Sequence, residues 1–436
     1  MALRACGRIA AGSSFVCSQI VLSRVQTASR LLLPGRIDRT FPARSTSSDA
    51  LRSRLMKGTF TELESDSARL PASVPSDSGQ QIALLMRHPD QPQNAKVLRV
   101  SIIGAPNAGK STLSNQLLGR KLFAVSKKVH TTRTRAMGVL TKDETQIILL
   151  DTPGLTTPSK VKRHQLEKSL LVDPWNTLKE ADLVVVLVDV SDRWMCGRLD
   201  FEVLKCLAQH PEIPAILVLN KVDLMKTKDR LLNITAELTC GIVNGRKTRV
   251  RPVIKPPSAE KQANVTPQSS PNVNNTDHAV GNALSKEQLR QLSSQRGWPH
   301  FKDVFMLSSL DKEDVETLKG YFLLKAKPGE WQYHSEVLTD QTPEQICTNI
   351  IREKLLEYLP QEVPYSLTQS IELWHEGTNG EVDISVRLYA KKETHMSMVI
   401  GAAGQMVARI AQEVSGDLSN VFLTEVRLKL SVKLKK

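Results

Sequence analysis

Apolar residues in this chain occur first as short solid runs and later as alternating or helically spaced rows. Runs at 97–103, 146–150, 181–190, 215–219 and 304–307 are bounded by charged or turn residues. Runs this short predict strands, and the one at 181–190 is apolar enough to be buried on both faces. Helix-like stretches lie between them, the first over 111–118. The alternation predicts an α/β domain with a mostly parallel sheet over 95–330. Beyond Pro328 the pattern changes. Ile346, Ile350, Leu355 and Leu359 recur at helical spacing within 343–359, with Ile351 and Leu356 widening the stripe. Stretches 367–374 and 382–391 read as strands; in the second, Val382, Ile384, Val386 and Leu388 alternate with Asp383, Ser385, Arg387 and Tyr389. A short helix, a turn at 401–404, a helix through Val414 and a strand from Val421 complete a separate α+β domain over 331–436.

Two stretches lack such patterns. Residues 1–44 carry seven arginines, no lysine and one acid, Asp38, among frequent serines. That is the composition of a mitochondrial import presequence, which places the mature protein in the matrix. Residues 45–94, with Pro71, Pro75, Pro89 and Pro92, read as a linker or loose arm. Residues 245–283 are polar and proline-rich and predict a disordered insertion; Ser285 and Gln288 then have capping-box spacing before a helix.

Composition narrows the partners. The chain has 436 residues and a formal net charge of +14, which favours an anionic partner, nucleic acid or an acidic membrane surface. No apolar run approaches the roughly 18 residues of a membrane span, so membrane contact is limited to peripheral association with the inner membrane. The six cysteines form no C-x-x-C pair, which argues against a zinc site and reads as reduced thiols.

The chemistry sits at the ends of the strands. Gly104, Ala105, Pro106, Asn107, Ala108, Gly109, Lys110 and Ser111 fit G-x-x-x-x-G-K-[ST], followed by Thr112. The glycines let backbone N–H groups turn toward phosphates, Lys110 supplies a charge, and Ser111 offers a hydroxyl to Mg²⁺. Asp151, Thr152, Pro153 and Gly154 follow the strand at 146–150; the Asp can hold the Mg²⁺ water shell and the Gly154 N–H can sense the γ-phosphate. Between them, Thr132 is chosen over Thr131 as a Mg²⁺ ligand. Lys110, Thr132 and Gly154 are the expected catalytic set. Asn220, Lys221 and Asp223 follow the next strand. Asp223 can accept from both N1–H and N2–H₂ of guanine, a donor pair adenine lacks. Asn220 is expected to bridge base and phosphate loop, the Lys221 stem to cover the base, and Ser308 and Ser309 to close the pocket with backbone N–H groups. The nucleotide is therefore GTP.

In the C-terminal domain, Gly401, Ala402, Ala403 and Gly404 form a G-x-x-G between two helices, the device by which KH domains hold single-stranded RNA backbone. A helix–turn–helix with glycine caps is the plainer alternative. In the last strand Arg427, Lys429, Lys433 and Lys435 share one parity and Leu428, Leu430, Val432 and Leu434 the other, giving one basic face.

Together GAPNAGKS, the TTRTR segment at 131–135, DTPGL at 151–155, NKVD at 220–223, IIREKLLEYL at 350–359, EVPYSL at 362–367 and VIGAAG at 399–404 resemble the Era family of GTPases, in its mitochondrial form. The resemblance implies a P-loop GTPase domain followed by a type II KH domain. It further implies a monomer that binds small-subunit rRNA, single-stranded near its 3′ end, and assists assembly of the mitochondrial small ribosomal subunit. It implies that Asn107 can hold K⁺ against the phosphates. Leu155 stands where many GTPases place a water-orienting glutamine, so hydrolysis is expected to be slow. Ala402 and Ala403 replace the basic residue that bacterial relatives often carry. RNA affinity then leans on backbone N–H groups and on Lys391, Lys392, Arg409, Arg427 and Lys429. A signalling or membrane-peripheral GTPase, with protein or anionic lipid on the basic C-terminal domain, is the rival reading.

Overall fold

A computed structural model describes residues 72–126, 136–151, 178–248, 285–360 and 362–435. The expected presequence, most of the expected insertion, and Thr132, Thr152, Pro153 and Gly154 lie outside the described residues.

The order of elements begins α1 (Ser78–Met86), β1 (Lys96–Gly104), α2 (Lys110–Leu118), β2 (Ala136–Lys142), β3 (Thr145–Asp151), β4 (Leu183–Asp189), α3 (Phe201–Gln209) and β5 (Ala215–Asn220). It continues with α4 (Arg230–Leu238), a hairpin of β6 (Ile242–Val243) and β7 (Arg246–Lys247), α5 (Lys286–Ser294), β8 (Phe301–Leu307), α6 (Lys312–Lys325) and β9 (Lys327–Pro328). The sheet order is β2-β3-β1-β4-β5-β8, with β9 on the start of β1. Strands β3, β1, β4, β5 and β8 run parallel, and β2 pairs antiparallel with β3.

The solid apolar runs have a simple cause. Leu183, Val185 and Leu187 of β4 enter one core, while Val184 and Val186 enter the core on the other face. In β5, Ile216 and Val218 take the first face, and Ala215, Leu217 and Leu219 the second. A strand covered by helices on both sides has no solvent face to mark with polar residues. Each fully buried Leu or Ile contributes roughly 1.5–3 kcal/mol relative to exposure.

The C-terminal domain runs α7 (Pro343–Tyr358), α8 (Val363–Ser366), β10 (Thr368–Glu376), β11 (Val382–Ala390), α9 (Glu393–Ile400), α10 (Gln405–Phe422) and β12 (Val426–Leu434). Pro343 opens α7 behind a capping box of Thr342 and Gln345. Strand β11 is the middle of a three-stranded sheet, antiparallel to β10 and parallel to β12. Its alternation is complete: Val382, Ile384, Val386 and Leu388 are buried beneath the helices. The core of this domain is continuous with one face of the larger sheet, so Leu117 and Ile350 belong to one apolar cluster.

Three expectations change. Helix α10 does not stop at Val414, and no strand starts at Val421. Val414, Leu418, Val421 and Phe422 keep the helical stripe buried until Leu423 turns left-handed at φ 56. Residues 246–247, expected to fall within the insertion, instead pair in the β6–β7 hairpin. The described part of the expected linker is packed. Asp77 caps α1, and Gln81 is buried, donating to the carbonyls of Thr339 at 2.8 Å and Gln341 at 3.2 Å. Ser335 donates to Asp90 from its N–H at 2.7 Å and its hydroxyl at 2.6 Å. These partners lie some 250 positions away in sequence, beyond the reach of local patterning.

Candidate functional site

Strands β1, β3, β4, β5 and β8 bring their carboxyl ends to one edge, where a parallel sheet leaves a crevice. A cavity of about 1090 Å³ opens there, lined by the phosphate loop, Asp189, Asp223 and the 308–310 turn. Of the residues expected to bind nucleotide, Gly104, Ala105, Pro106, Asn107, Gly109, Lys110, Ser111, Thr112, Asn220, Lys221, Asp223, Ser308 and Ser309 line it. Ala108 sits behind it, fully buried. Asp151 ends β3, in register with Ile102 of β1.

The phosphate loop is fixed by its own backbone and by three neighbouring strand ends. Lys110 is 7% exposed, and its ammonium donates to the carbonyls of Gly104 at 3.2 Å and Ala105 at 3.0 Å. Gly109 has φ 100, and a Cβ there would strike the Asn220 amide. Any other residue at 109 would both strain the backbone and displace that amide.

Asn220 is the hub. Its Nδ2 donates to the Ala108 carbonyl at 2.8 Å, and its Oδ1 accepts from the Ser309 N–H at 2.9 Å and hydroxyl at 2.8 Å. The amide thus joins the phosphate loop to the 308–309 turn through Oδ1 and one of the two Nδ2 hydrogens. The Ser308 N–H is taken by Asp314 at 2.9 Å. The expected closure of the pocket by the Ser308 and Ser309 N–H groups is thus corrected: both already have partners. Lys221, at φ 64, donates to the Asn107 carbonyl at 2.8 Å and pairs with Asp189 at 2.5 Å. Asp189 is in turn held by the Ser191 N–H at 2.9 Å.

At the far domain, Gly401 has φ 71, and a Cβ there would meet the Met406 side chain at 2.6 Å. Gly404, at φ 78, starts α10 without a side-chain cap. Ala402 and Ala403 are exposed between them. The open N–H groups of a helix start can take phosphate.

Comparison with known proteins agrees with both kinds of domain. The profile of the 50S ribosome-binding GTPase family matches residues 99–221, and that of the KH domain matches 362–436. A Salmo salar protein named GTPase Era, mitochondrial, is 68% identical over 404 residues, covering 90% of this chain and 88% of its own length. The GTPase Era of Desulfovibrio desulfuricans is 30% identical, covering 77% and 91%.

The chain belongs to the Era family of GTPases.

A solved Era structure in complex with MgGDPNP and nucleotides 1506–1542 of 16S ribosomal RNA superposes with a TM-score of 0.57 at 25% identity, covering 78% of this chain and 94% of that one. The protein is thus a P-loop GTP hydrolase with a C-terminal KH domain. As an Era protein it places the expected RNA residues on two surfaces. The 401–404 loop and Arg409 belong to the helical layer, and Lys391 and Lys392 lead into α9. Arg427 and Lys429 lie on the opposite face of the KH sheet, because Leu428, Leu430 and Val432 pack inward. Two of the basic groups carry acidic partners: Arg427 donates to Glu425 at 3.0 Å and Arg409 to Glu413 at 3.1 Å. No helix among the described residues is long and apolar enough to cross a membrane.

Two residues lie outside the set expected from the sequence to serve these sites. Asp189 had a signal, a lone carboxylate ending the apolar run of β4 at the ligand edge. Glu353 had a subtler one. It continues the Ile346, Ile350 stripe of α7 where an apolar residue is expected, and it is buried.

Proposed function

We propose that the protein is a GTP-switched RNA chaperone of the mitochondrial small ribosomal subunit, working in the matrix and binding single-stranded RNA near the rRNA 3′ end. The observation that carries this reading is the pairing, in one compact unit, of a nucleotide-sized crevice at the strand ends and an exposed glycine loop at a helix N-terminus. The relative held with 16S ribosomal RNA supports the choice of ligand, and the mitochondrial naming of the fish relatives supports the compartment.

In this reading Lys110 neutralises the β- and γ-phosphates, and Asp223, with the Lys221 stem over the base, selects guanine. Ser111, Asp151 and Thr132 hold Mg²⁺. The fit is chemical: Ser111 lines the cavity and Asp151 ends the adjacent strand, and hydroxyl and carboxylate oxygens are the hard donors Mg²⁺ prefers. Gly154 reports the γ-phosphate. Asn107 serves K⁺, which predicts faster hydrolysis in K⁺ than in Na⁺; equal rates would remove that role. With Leu155 unable to orient water, intrinsic hydrolysis is slow. Gly401, Ala402, Ala403 and Gly404 hold RNA backbone, with Lys391, Lys392 and Arg409 beside it.

Crosslinking in organelles, followed by sequencing of the bound RNA, tests the reading. Hits are expected to concentrate at the 3′ end of the small-subunit rRNA. A spread over messenger and transfer RNAs would sink it.

A further inference from the structure

The C-terminal domain forms part of the nucleotide pocket wall. Leu356 and Glu357 of α7 line the cavity alongside Ala124, Val125 and Ser126. The loop 120–126 leaves the phosphate-loop helix α2 and is held from both sides. On one side, Asn115 of α2 accepts from the N–H groups of Leu122 and Phe123, both at 2.9 Å, and donates to the Phe123 carbonyl at 2.8 Å. On the other, Glu353 of α7 accepts from the Val125 N–H at 2.8 Å. Its second oxygen meets the Lys121 ammonium at 2.7 Å, and the same ammonium reaches Asp417 of α10, also at 2.7 Å.

Glu353 is an expensive residue in this place. Its side chain is 5% exposed, and burial pushes its carboxyl pKa up against the pull of Lys121. Desolvating a carboxylate costs on the order of several kcal/mol, so an apolar residue would hold the two domains together at least as well. The charge buys a directional grip on a loop that walls the nucleotide.

The network continues toward the RNA loop. Lys354 joins Asp417, at 3.6 Å, to Glu413, at 3.0 Å. Glu413 also accepts from the Tyr358 hydroxyl at 2.6 Å and from Arg409 at 3.1 Å. The Arg409 guanidinium lies over the Tyr358 ring, 4.5 Å from its centroid. Arg409 is in the second turn of α10, whose N-cap is Gly404. Asp417 is about 20 Å along the same helix, at 1.5 Å per residue.

We propose that Glu353 is a positioning residue for the nucleotide pocket, supplied by the C-terminal domain, and that through it GTP and RNA alter each other's affinity. The coupling half rests on the RNA reading above. RNA phosphate near the start of α10 competes with Glu413 for Arg409. Glu413 then draws more on Lys354, Asp417 is left to draw on Lys121, and the grip of Glu353 on Lys121 and Val125 changes. Linkage makes the effect reciprocal: whatever GTP does to RNA affinity, RNA does to GTP affinity.

The plainer account is an ion pair that only fastens one domain to the other. It predicts lower thermal stability on substitution and no change in coupling.

The test uses the full chain and a fluorescent single-stranded RNA of the small-subunit 3′-end sequence, titrated with GDP and with a non-hydrolysable GTP analogue present. The ratio of the two Kd values is the coupling factor. For the native chain it is expected to differ from unity by about fivefold or more, the usual scale of allosteric coupling. In Glu353→Gln it is expected to fall within about twofold of unity, while melting still shows a cooperative fold. Lys121→Met, whose side chain is 30% exposed, reads the same link should the Gln variant not fold. The two changes combined are expected to lose no more coupling than either alone, because they cut one connection. A native factor of unity, or variants that keep the native factor, overturns the proposal, as do additive losses. A native chain that binds RNA in neither nucleotide state defeats the RNA reading itself and takes the coupling with it.

Discussion

The phosphate loop and the 401–404 loop share one local device. Each ends in a left-handed glycine that starts a helix, Gly109 at φ 100 before α2 and Gly404 at φ 78 before α10, and neither helix start has a side-chain cap. Each therefore presents uncapped N–H groups and the positive end of a helix dipole. Their surroundings differ. Gly109 is crowded by Asn220, and Lys110, Lys221 and Ser309 tie its loop to β1, β4, β5 and β8. Nothing lies within 4 Å of where a Cβ on Gly404 would be. The difference teaches that the glycine turn supplies affinity for phosphate, while the surroundings decide its shape. A turn crowded by neighbouring strand ends suits a compact ligand; an open one suits a polymer, of which it meets mainly the backbone.

The sharpest way to break this comparison is Lys110→Ala. Losing the ammonium held by the Gly104 and Ala105 carbonyls is expected to weaken GTP binding by about 100-fold or more while RNA binding with GDP absent stays near native, since charge-assisted contacts to phosphate are the strong ones. Equal loss at both sites, by calorimetry and RNA titration, would show that the loops are not separable. The reverse experiment is Gly401→Asp with Gly404→Asp. Two carboxylates set among phosphates, in left-handed backbone, are expected to cut RNA affinity by roughly 50-fold and leave GTP affinity within about twofold. Asp223→Asn sharpens the claim that the crevice reads the base. Its preference for GTP over ATP, measured by competition, is expected to drop by at least about tenfold, because an amide no longer offers two acceptors to guanine.

The smallest effect concerns the open site. The Glu413 carboxyl is held at about 2, below its ordinary 4.5, by the Tyr358 hydroxyl first and, against partial desolvation, by Lys354 and Arg409. A depressed carboxylate stabilises the fold above its unfolded value and loses that contribution as pH falls. Glu413→Gln should therefore melt about 2 °C below native at pH 7, allowing for solvent screening, with the gap closing between pH 4.5 and 2. A gap that widens on acidification would contradict the assignment.

The strands and the nucleotide motifs were legible because each is a local pattern: β4 and β5 are solid apolar runs, and the phosphate loop is an unbroken octapeptide. The edge strand β2 was missed because Gly138 interrupts its apolar residues, Ala136, Met137, Val139 and Leu140, so that no solid run forms. Helix α10 was cut short because its last buried residues, Val421 and Phe422, look like the start of a strand when the stripe from Ile410 is not followed through. What sequence could not show was who occupies whose hydrogen bonds. Ser308 and Ser309 were placed at the right edge, but their N–H groups belong to Asp314 and Asn220. Gln81 was invisible for the same reason, and Glu353 showed only as a break in an apolar stripe: a buried polar side chain is explained only by its distant partner.

The basic row on β12 has a consequence for the molecule in a crowded solution. β12 is an outer strand of a three-stranded sheet, so among the described residues one side of its backbone has no strand to pair with. An unpaired strand edge is a template for another copy of the chain. Lys429 and Lys433 stand along it, exposed. Two copies meeting edge to edge would bring like charges together along the shared seam. The lysines act as gatekeepers against fibre-like stacking, and neutralising Lys429, Lys433 and Lys435 to glutamine is expected to lower the concentration at which light scattering first detects aggregates.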